Sequence, residues 1–253
     1  MTSAQKAIQR GRTLGAYGYP TPNLIALKDT ALEVTRRVAR QYGEPHWSEK
    51  DPLSMLVIIV LSQRTRDRQT SVGYAGLKAR FATWEEMRDA PVEDVQAAIA
   101  GVNWPELKAP RLQAIMRQIT AERGALSLDF LCDLPLEESV TWLHRLHGVG
   151  PKTVACTLLF SCQKPVLPVD THVRRVSMRL GLIGSKVTPE AAHSLLQALL
   201  PDDARTIYNY HNGLLEHGQQ VCVSGRPRCE RCVLTDLCAY YNATKPPTES
   251  SIM

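Results

Sequence analysis

Four cysteine residues are crowded into one short stretch near the end of the chain. Cys222, Cys229, Cys232 and Cys238 are separated by six, two and five residues. Thiols at this density are either joined to each other or share a metal ion or an iron–sulfur cluster. No secretory hydrophobic segment follows Met1, so we expect a reducing compartment, which makes disulfides the weakest interpretation. The spacing alone leaves zinc and an iron–sulfur cluster open.

A second candidate site lies where two helical patterns meet at Gly148-Val149-Gly150. Two glycines around one small apolar residue allow a tight turn and leave amide N–H groups beside a helix N-terminus, which suits a phosphate. Lys152 falls in the first turn of the second helix, where the helix dipole disfavours a cation and favours the neutral amine that a nucleophile requires. The plainer alternatives are an ordinary turn and a solvated lysine.

Asp170, in the segment PVDTHVRR, stands at the start of a further helical pattern. Its carboxylate either caps that helix and does nothing more, or also stabilises positive charge that develops on a sugar. The net charge of +5 is weak evidence for nucleic acid by itself. Arg226 and Arg228, which lie among the cysteines, are candidates for contacts with phosphates.

The pattern of the whole chain is helical, with explicit start and stop signals. Proline, threonine or aspartate precedes several apolar-periodic segments, with Asp29 and Asp51 before the first two, while Gly43 and Gly124 end two of them. Alternating strand patterns are nearly absent, which predicts an all-α fold. No run of about 20 apolar residues predicts a membrane span. We expect a loose extension at 1–24 and a disordered tail at 242–253. The predicted helical segments are 30–42, 52–63, 83–90, 91–100, 105–123, 188–200 and 203–217.

Three motifs, in this order, resemble a known family. The segments LHGVGPKTV and VDTHVRRV, followed by the 6-2-5 cysteine spacing, are similar to endonuclease III of the helix-hairpin-helix DNA glycosylase/AP lyase family. The resemblance runs from about Thr30 to Tyr241. It implies that the four cysteines hold a [4Fe–4S] cluster, that Lys152 is the Schiff-base nucleophile, and that Asp170 is its carboxylate partner.

The resemblance also implies two all-α lobes with DNA lying in the cleft between them. One lobe is expected to be a six-helix barrel at 46–164, containing the helix-hairpin-helix at about 140–159. The other is expected to combine residues 25–45 and 165–241 around the cluster, which braces the DNA-facing segment with Arg226 and Arg228. The hairpin residues 148–150 are expected to contact phosphate.

Two segments of the N-terminal half correspond to DNA-contacting segments of the family. In LSQRTRD, Arg64 replaces a glutamine that in relatives fills the gap left by a flipped nucleotide, although a shift of one residue would give that place to Gln63. Arginine only donates hydrogen bonds, so it matches the acceptor edge of guanine. In the loop GVNWPELKA, Val102 or Trp104 is the candidate apolar wedge; core packing is the alternative for Trp104.

Other positions depart from the family pattern or have plainer interpretations. His147 stands where the family has proline, and Pro151 stands where it has a polar residue. Both substitutions fall in the hairpin and could change its stiffness. Cys132, Cys156 and Cys162 are expected to be small buried apolar residues.

The resemblance implies a bifunctional DNA glycosylase/AP lyase that removes oxidised pyrimidines and nicks abasic sites by β-elimination. Its expected partner is double-stranded DNA with oxidised bases or abasic sites, bound by a monomer in the cytoplasm of a bacterium, and no organellar targeting is expected. Two alternatives are a related glycosylase, such as the adenine-removing branch that lacks the lysine, and a DNA-binding iron–sulfur redox or scaffold protein without catalysis.

Overall fold

The structure, a computed structural model, describes residues 24–48 and 50–244. All regular structure in these residues is helical, which confirms the predicted all-α class. None of the described helices is long and apolar enough to cross a membrane. The α-helices are α1 Leu24–Tyr42, α2 Pro52–Ser62, α3 Asp67–Arg80, α4 Trp84–Asp89, α5 Val92–Ala98, α6 Pro105–Arg123, α7 Phe130–Asp133, α8 Leu136–His144, α9 Pro151–Cys162, α10 Thr171–Leu180, α11 Pro189–Gln197, α12 Ala204–Gln220 and α13 Ala239–Thr244.

The described chain divides into two compact units, residues 47–168 and residues 24–46 with 169–244. The first unit is built around α2, nine of whose eleven residues are buried. A helix that is apolar on all sides must be covered on all sides, and α3, α6 and α9 pack against it. Leu56, Val60 and Leu158 are fully buried in one apolar cluster, so α9 is anchored along its length.

Several helix boundaries of the first unit follow the predicted local signals. The Asp51 carboxylate accepts a hydrogen bond from the Ser54 N–H at 2.8 Å, with Pro52 in the first turn of α2. Helix α6 ends at Gly124, whose φ of +75° favours glycine. Both boundaries lie where the sequence predicted them. Such boundaries can be predicted because each depends only on residues that are close together in the chain.

The second unit packs α1 and α10 against α12. A Cβ atom at Gly213 would lie 2.3 Å from Val38 Cγ2, so α1 and α12 approach closely there. Helix α12 continues through Gly218, where the sequence predicted its end. A Cβ at Gly218 would lie 2.8 Å from the Cβ of His172, so this glycine permits close packing against α10 instead of ending the helix.

The ends of the described chain correct two further predictions. Helix α1 already includes Leu24, so Asp29 lies inside it and is not its cap. At the other end, α13 runs to Thr244, so the first three residues of the predicted disordered tail are helical. The Asn242 N–H donates to the Cys238 carbonyl at 3.0 Å, which extends this helix. The rest of the tail and nearly all of the N-terminal extension lie outside the described residues.

Candidate active site

The hairpin between α8 and α9 presents two free backbone amides. Gly148 has a φ of +76°, which turns the chain sharply. Within the described chain, neither Gly148 nor Gly150 donates its N–H to a backbone acceptor. Val149 behaves differently, because its N–H donates to the Leu146 carbonyl at 3.1 Å and its side chain is 5 % exposed. Val149 therefore fixes the hairpin in the core, and only the glycine amides are available to a phosphate.

Lys152 is the second residue of α9 and directly follows the hairpin. Its side chain is half-buried, and its amine has no hydrogen-bond or ion-pair partner among the residues that the structure describes. Val154 and Leu158, further along α9, are buried in the core of the unit. The helix thus holds the base of the lysine rigidly while the terminal nitrogen stays available for chemistry.

Asp170 caps α10 in the other unit. One carboxylate oxygen accepts a hydrogen bond from the Val173 N–H at 2.7 Å, and the backbone carbonyl accepts from the Arg174 N–H at 3.0 Å. The second carboxylate oxygen makes no hydrogen bond within the described chain. Asp170 therefore caps α10 through one carboxylate oxygen, as the simpler of the two interpretations predicted. Its other carboxylate oxygen stays available to a ligand.

Arg64 and Trp104 lie together at the surface of the first unit. Both have left-handed backbone conformations, with φ values of +50° and +55°. The Arg64 guanidinium lies 5.9 Å from the centre of the Trp104 ring, and Trp104 is 44 % exposed. Val102 is 4 % exposed, and a Cβ at Gly73 would lie 2.6 Å from its Cγ1. Of the two candidate wedges, Val102 is a core residue and Trp104 faces solvent.

Gln63, to which a one-residue shift would give the role of Arg64, has its side chain engaged within the protein. Its side-chain oxygen accepts a hydrogen bond from Arg111 at 3.1 Å, whereas the Arg64 side chain is exposed.

Two exposed residues near Trp104 were not among the residues that the sequence analysis named as DNA-contact candidates. One is Leu107, which is 57 % exposed and lies one helical turn after Trp104. The other is the exposed Arg66, although the alternating arginines at 64, 66 and 68 are visible in the sequence.

The four cysteines of the C-terminal segment line one cavity that is partly open to solvent. Arg179 donates to the Cys222 sulfur at 3.2 Å, and the Leu234 N–H donates to the Cys232 sulfur at 3.4 Å. Burial raises the pKa of Cys232 to about 11. Within the described residues, no three His, Cys, Asp or Glu side chains are close enough together to bind a single metal ion.

One buried histidine contacts a cysteine of this cavity and was not found from the sequence. His217 is 1 % exposed; its Nε2 lies 3.4 Å from the Cys232 sulfur and its Nδ1 lies 2.9 Å from the Tyr42 hydroxyl. Burial lowers the pKa of His217 to about 4, so the ring is neutral at pH 7. Its position shortly before Cys222 was the available signal.

The two arginines of the cysteine segment, Arg226 and Arg228, differ in whether their guanidinium groups make hydrogen bonds within the protein. Arg226 is exposed and makes no hydrogen bond or ion pair within the described chain, while Arg228 donates to the Gln220 carbonyl at 2.9 Å. Both remain at the surface, but Arg228 has part of its guanidinium engaged.

The remaining cysteines correct a prediction. Cys132 and Cys162 form a disulfide that joins α7 to the end of α9, with Cα atoms 4.8 Å apart. Cys132 is exposed and Cys162 is half-buried, so the prediction that both are buried apolar residues is wrong. The sequence separation of 30 gave no sign of their proximity. Cys156 is buried and reduced, as predicted.

Comparison with known proteins defines the class. The family model of the HhH-GPD superfamily base excision DNA repair proteins matches residues 57–202. Endonuclease III of Thermotoga maritima is 35 % identical over 210 residues, which are 83 % of this chain and 92 % of that protein. Endonuclease III of Treponema pallidum is 32 % identical over 200 residues, which are 79 % of this chain and 88 % of that protein.

A solved structure shows the same fold. A trapped endonuclease III–DNA covalent intermediate superimposes with a TM-score of 0.73 at 22 % identity, covering 85 % of this chain and 97 % of that one. The chain belongs to the HhH-GPD superfamily of base excision DNA repair proteins. Within that superfamily it is an endonuclease III-like DNA glycosylase/AP lyase.

Proposed function

We propose that this enzyme removes oxidised pyrimidines from double-stranded DNA as a monomer, and cuts the resulting abasic site through a Schiff base on Lys152. The observation that carries the proposal is the free amine of Lys152 at the start of α9, directly after a hairpin with two unused amides. An amine nucleophile needs a rigid attachment and an unengaged nitrogen, and both are present.

The chemistry requires that the damaged nucleotide leave the base stack, because C1′ is not accessible in the duplex. The Lys152 nitrogen forms a bond to C1′, the glycosidic bond breaks, and the base leaves with the bonding electrons and takes up a proton. Opening of the sugar ring gives the Schiff base. Loss of a proton from C2′ then forms a double bond to C3′ and expels the 3′ phosphate.

Asp170 is proposed to assist the first of these steps. Positive charge develops on the sugar as the base leaves, and a carboxylate stabilises it. The free oxygen of Asp170 supports this role, while its other oxygen caps α10 and fixes the side chain. The helix cap and the catalytic role are therefore compatible in one residue.

The DNA contacts are proposed from exposed groups. The Gly148 and Gly150 amides would donate to a phosphate, which positions the duplex without reading its sequence. Trp104 and Arg64 would fill the space left by the flipped nucleotide. The free guanidinium of Arg226 would contact another phosphate, with a smaller part for Arg228.

Cys222, Cys229, Cys232 and Cys238 are proposed to hold a [4Fe–4S] cluster, which is typical of the endonuclease III family. Two observations support it: all four line one cavity, and N–H groups donate to two of the sulfurs. In such a cluster each thiolate binds a different iron, so the sulfurs surround a volume. When bound, the cluster would brace residues 222–238 and with them Arg226.

Borohydride trapping tests the function. DNA with a single oxidised pyrimidine should form a covalent adduct with the wild-type protein, and undamaged DNA should not. Lys152→Ala should form no adduct, whereas Lys164→Ala, which removes another half-buried lysine of the same unit, should trap as wild type. An adduct formed by Lys152→Ala at the wild-type rate would assign the nucleophile to another amine.

A further inference from the structure

Lys108, in the first turn of α6, is 3 % exposed although it carries a charged group. Its ammonium donates to the Leu61 carbonyl at 2.6 Å, to the Gln63 carbonyl at 2.9 Å and to the Thr65 hydroxyl at 2.7 Å. All three of its donors are therefore used. A buried cation is costly to maintain, so three well-placed acceptors indicate a specific task.

All three acceptors belong to one short segment, residues 61–65, which we term the Arg64 loop although its first two residues are the last two of α2. Asn103 completes the attachment: its side chain donates to the Arg64 carbonyl at 2.5 Å, and its backbone N–H donates to the Thr65 hydroxyl at 3.2 Å. Lys108 and Asn103 thus fix the backbone of the loop through hydrogen bonds to its carbonyl groups and to the Thr65 hydroxyl. Neither contacts the Arg64 side chain through a hydrogen bond.

The backbone that Lys108 and Asn103 hold includes one residue in an uncommon conformation. Arg64 has a φ of +50°, in the left-handed region that L-residues rarely adopt. Its side chain is exposed and makes no hydrogen bond or ion pair within the described chain, with only the Trp104 ring beside it. The attachments therefore fix the direction in which the guanidinium leaves the loop and leave its donors unused.

We infer that Lys108 is a positioning residue for recognition of the base opposite the lesion. Its ammonium holds the Arg64 loop so that the Arg64 guanidinium is directed to that base. The inference rests on the proposed function, since it requires cleavage at a lesion in duplex DNA. A guanidinium only donates, and guanine presents two acceptors where adenine presents one acceptor and one donor, so guanine is the favoured opposite base.

A double-mutant cycle with Lys108→Met and Arg64→Gln tests the inference. The duplexes carry one oxidised pyrimidine opposite guanine or opposite adenine, and single-turnover cleavage rates give one ratio for each protein. The wild type should prefer guanine by about fivefold, the low end for one bidentate pair. Lys108→Met should reduce this preference below about twofold, and adding Arg64→Gln should change it no further. The ratio is independent of the active fraction, so a loss of stability alone does not move it.

Matched variants keep the test decisive. Lys164→Met removes another half-buried lysine, which donates to the Leu134 carbonyl, and should retain the wild-type ratio. If Lys108→Met does not fold, Asn103→Ala takes its place: this residue is exposed, and its loss should also reduce the ratio.

Three outcomes distinguish the inference from the function on which it rests. A wild-type ratio in Lys108→Met, or in Asn103→Ala where that variant replaces it, overturns the inference. So does a wild-type protein that cleaves equally opposite both bases, because there is then no discrimination to position. A wild-type protein that cleaves neither duplex, and traps neither, contradicts the proposed function itself.

Discussion

Replacing Gly148 with alanine should destabilise the first unit through two separable effects. The φ of +76° costs a non-glycine residue about 1–2 kcal/mol. A Cβ there would also lie 2.9 Å from both Cδ and Nε of Arg111, which would have to move. Arg111 would then lose its hydrogen bond to Gln63, worth about 0.5–1.5 kcal/mol. We expect a total loss of about 1.5–3.5 kcal/mol in the free energy of unfolding.

Two other glycines separate these effects in a denaturant-unfolding assay. Gly124 has a φ of +75°, and nothing lies within 4 Å of the place that a Cβ would take, so Gly124→Ala should lose only the conformational part, about 1–2 kcal/mol. Gly150 has a φ of −90° and open space around it, so Gly150→Ala should stabilise the protein by about 0.4–1 kcal/mol, because alanine restricts the unfolded chain. Equal losses for Gly148→Ala and Gly124→Ala would refute the close contact with Arg111, and a large loss for Gly150→Ala would refute the backbone argument.

Three further predictions concern the cysteines and Asp170. Cys229→Ser should lose iron and the broad yellow-brown absorbance of a cluster, while Cys132→Ser should keep both; stoichiometric zinc in the purified wild-type protein would contradict the cluster. Asp170→Asn should slow base removal strongly and leave DNA affinity unchanged, because asparagine still caps α10 but lacks the charge; an equal loss of affinity would assign Asp170 to binding instead. Reduction of the Cys132–Cys162 disulfide, which spans a sequence separation of 30, should lower the free energy of unfolding by about 3.5 kcal/mol in a denaturant titration, and Cys132→Ser should show no such dependence on reductant.

The sequence predicted those features that neighbouring residues determine. The cap by Asp51, the end of α6 at Gly124 and the turn at Gly148 each depend on a few consecutive residues, and each is present. Gly218 shows the limit of such signals, because a glycine that ends a helix and one that admits a neighbouring helix look alike in sequence. Only the packing of α12 against α10 distinguishes them.

The features that sequence reasoning missed join residues far apart in the chain. Lys108 contacts the Leu61 carbonyl across 47 residues, and the burial of Val102 depends on Gly73. Helical periodicity shows which side of a helix is apolar, but not which helix will cover it. The family motif was enough to predict Lys152 as the nucleophile. The hydrogen bonds that hold the Arg64 loop could not be predicted in this way, because they depend on how α6 packs beside α2.

The attachment of residues 61–65 has a consequence for the thermodynamics of DNA binding. Ordering a flexible backbone costs about 1–2 kcal/mol of entropy for each residue, so a loose loop of this length would forfeit several kcal/mol of affinity on meeting its substrate. Here Lys108 and Asn103 offset that cost during folding, before any DNA is present. DNA binding then has to immobilise only the side chain of Arg64, which costs no more than about 2 kcal/mol of conformational entropy. The free protein already has, in this loop, the low conformational entropy of the bound state.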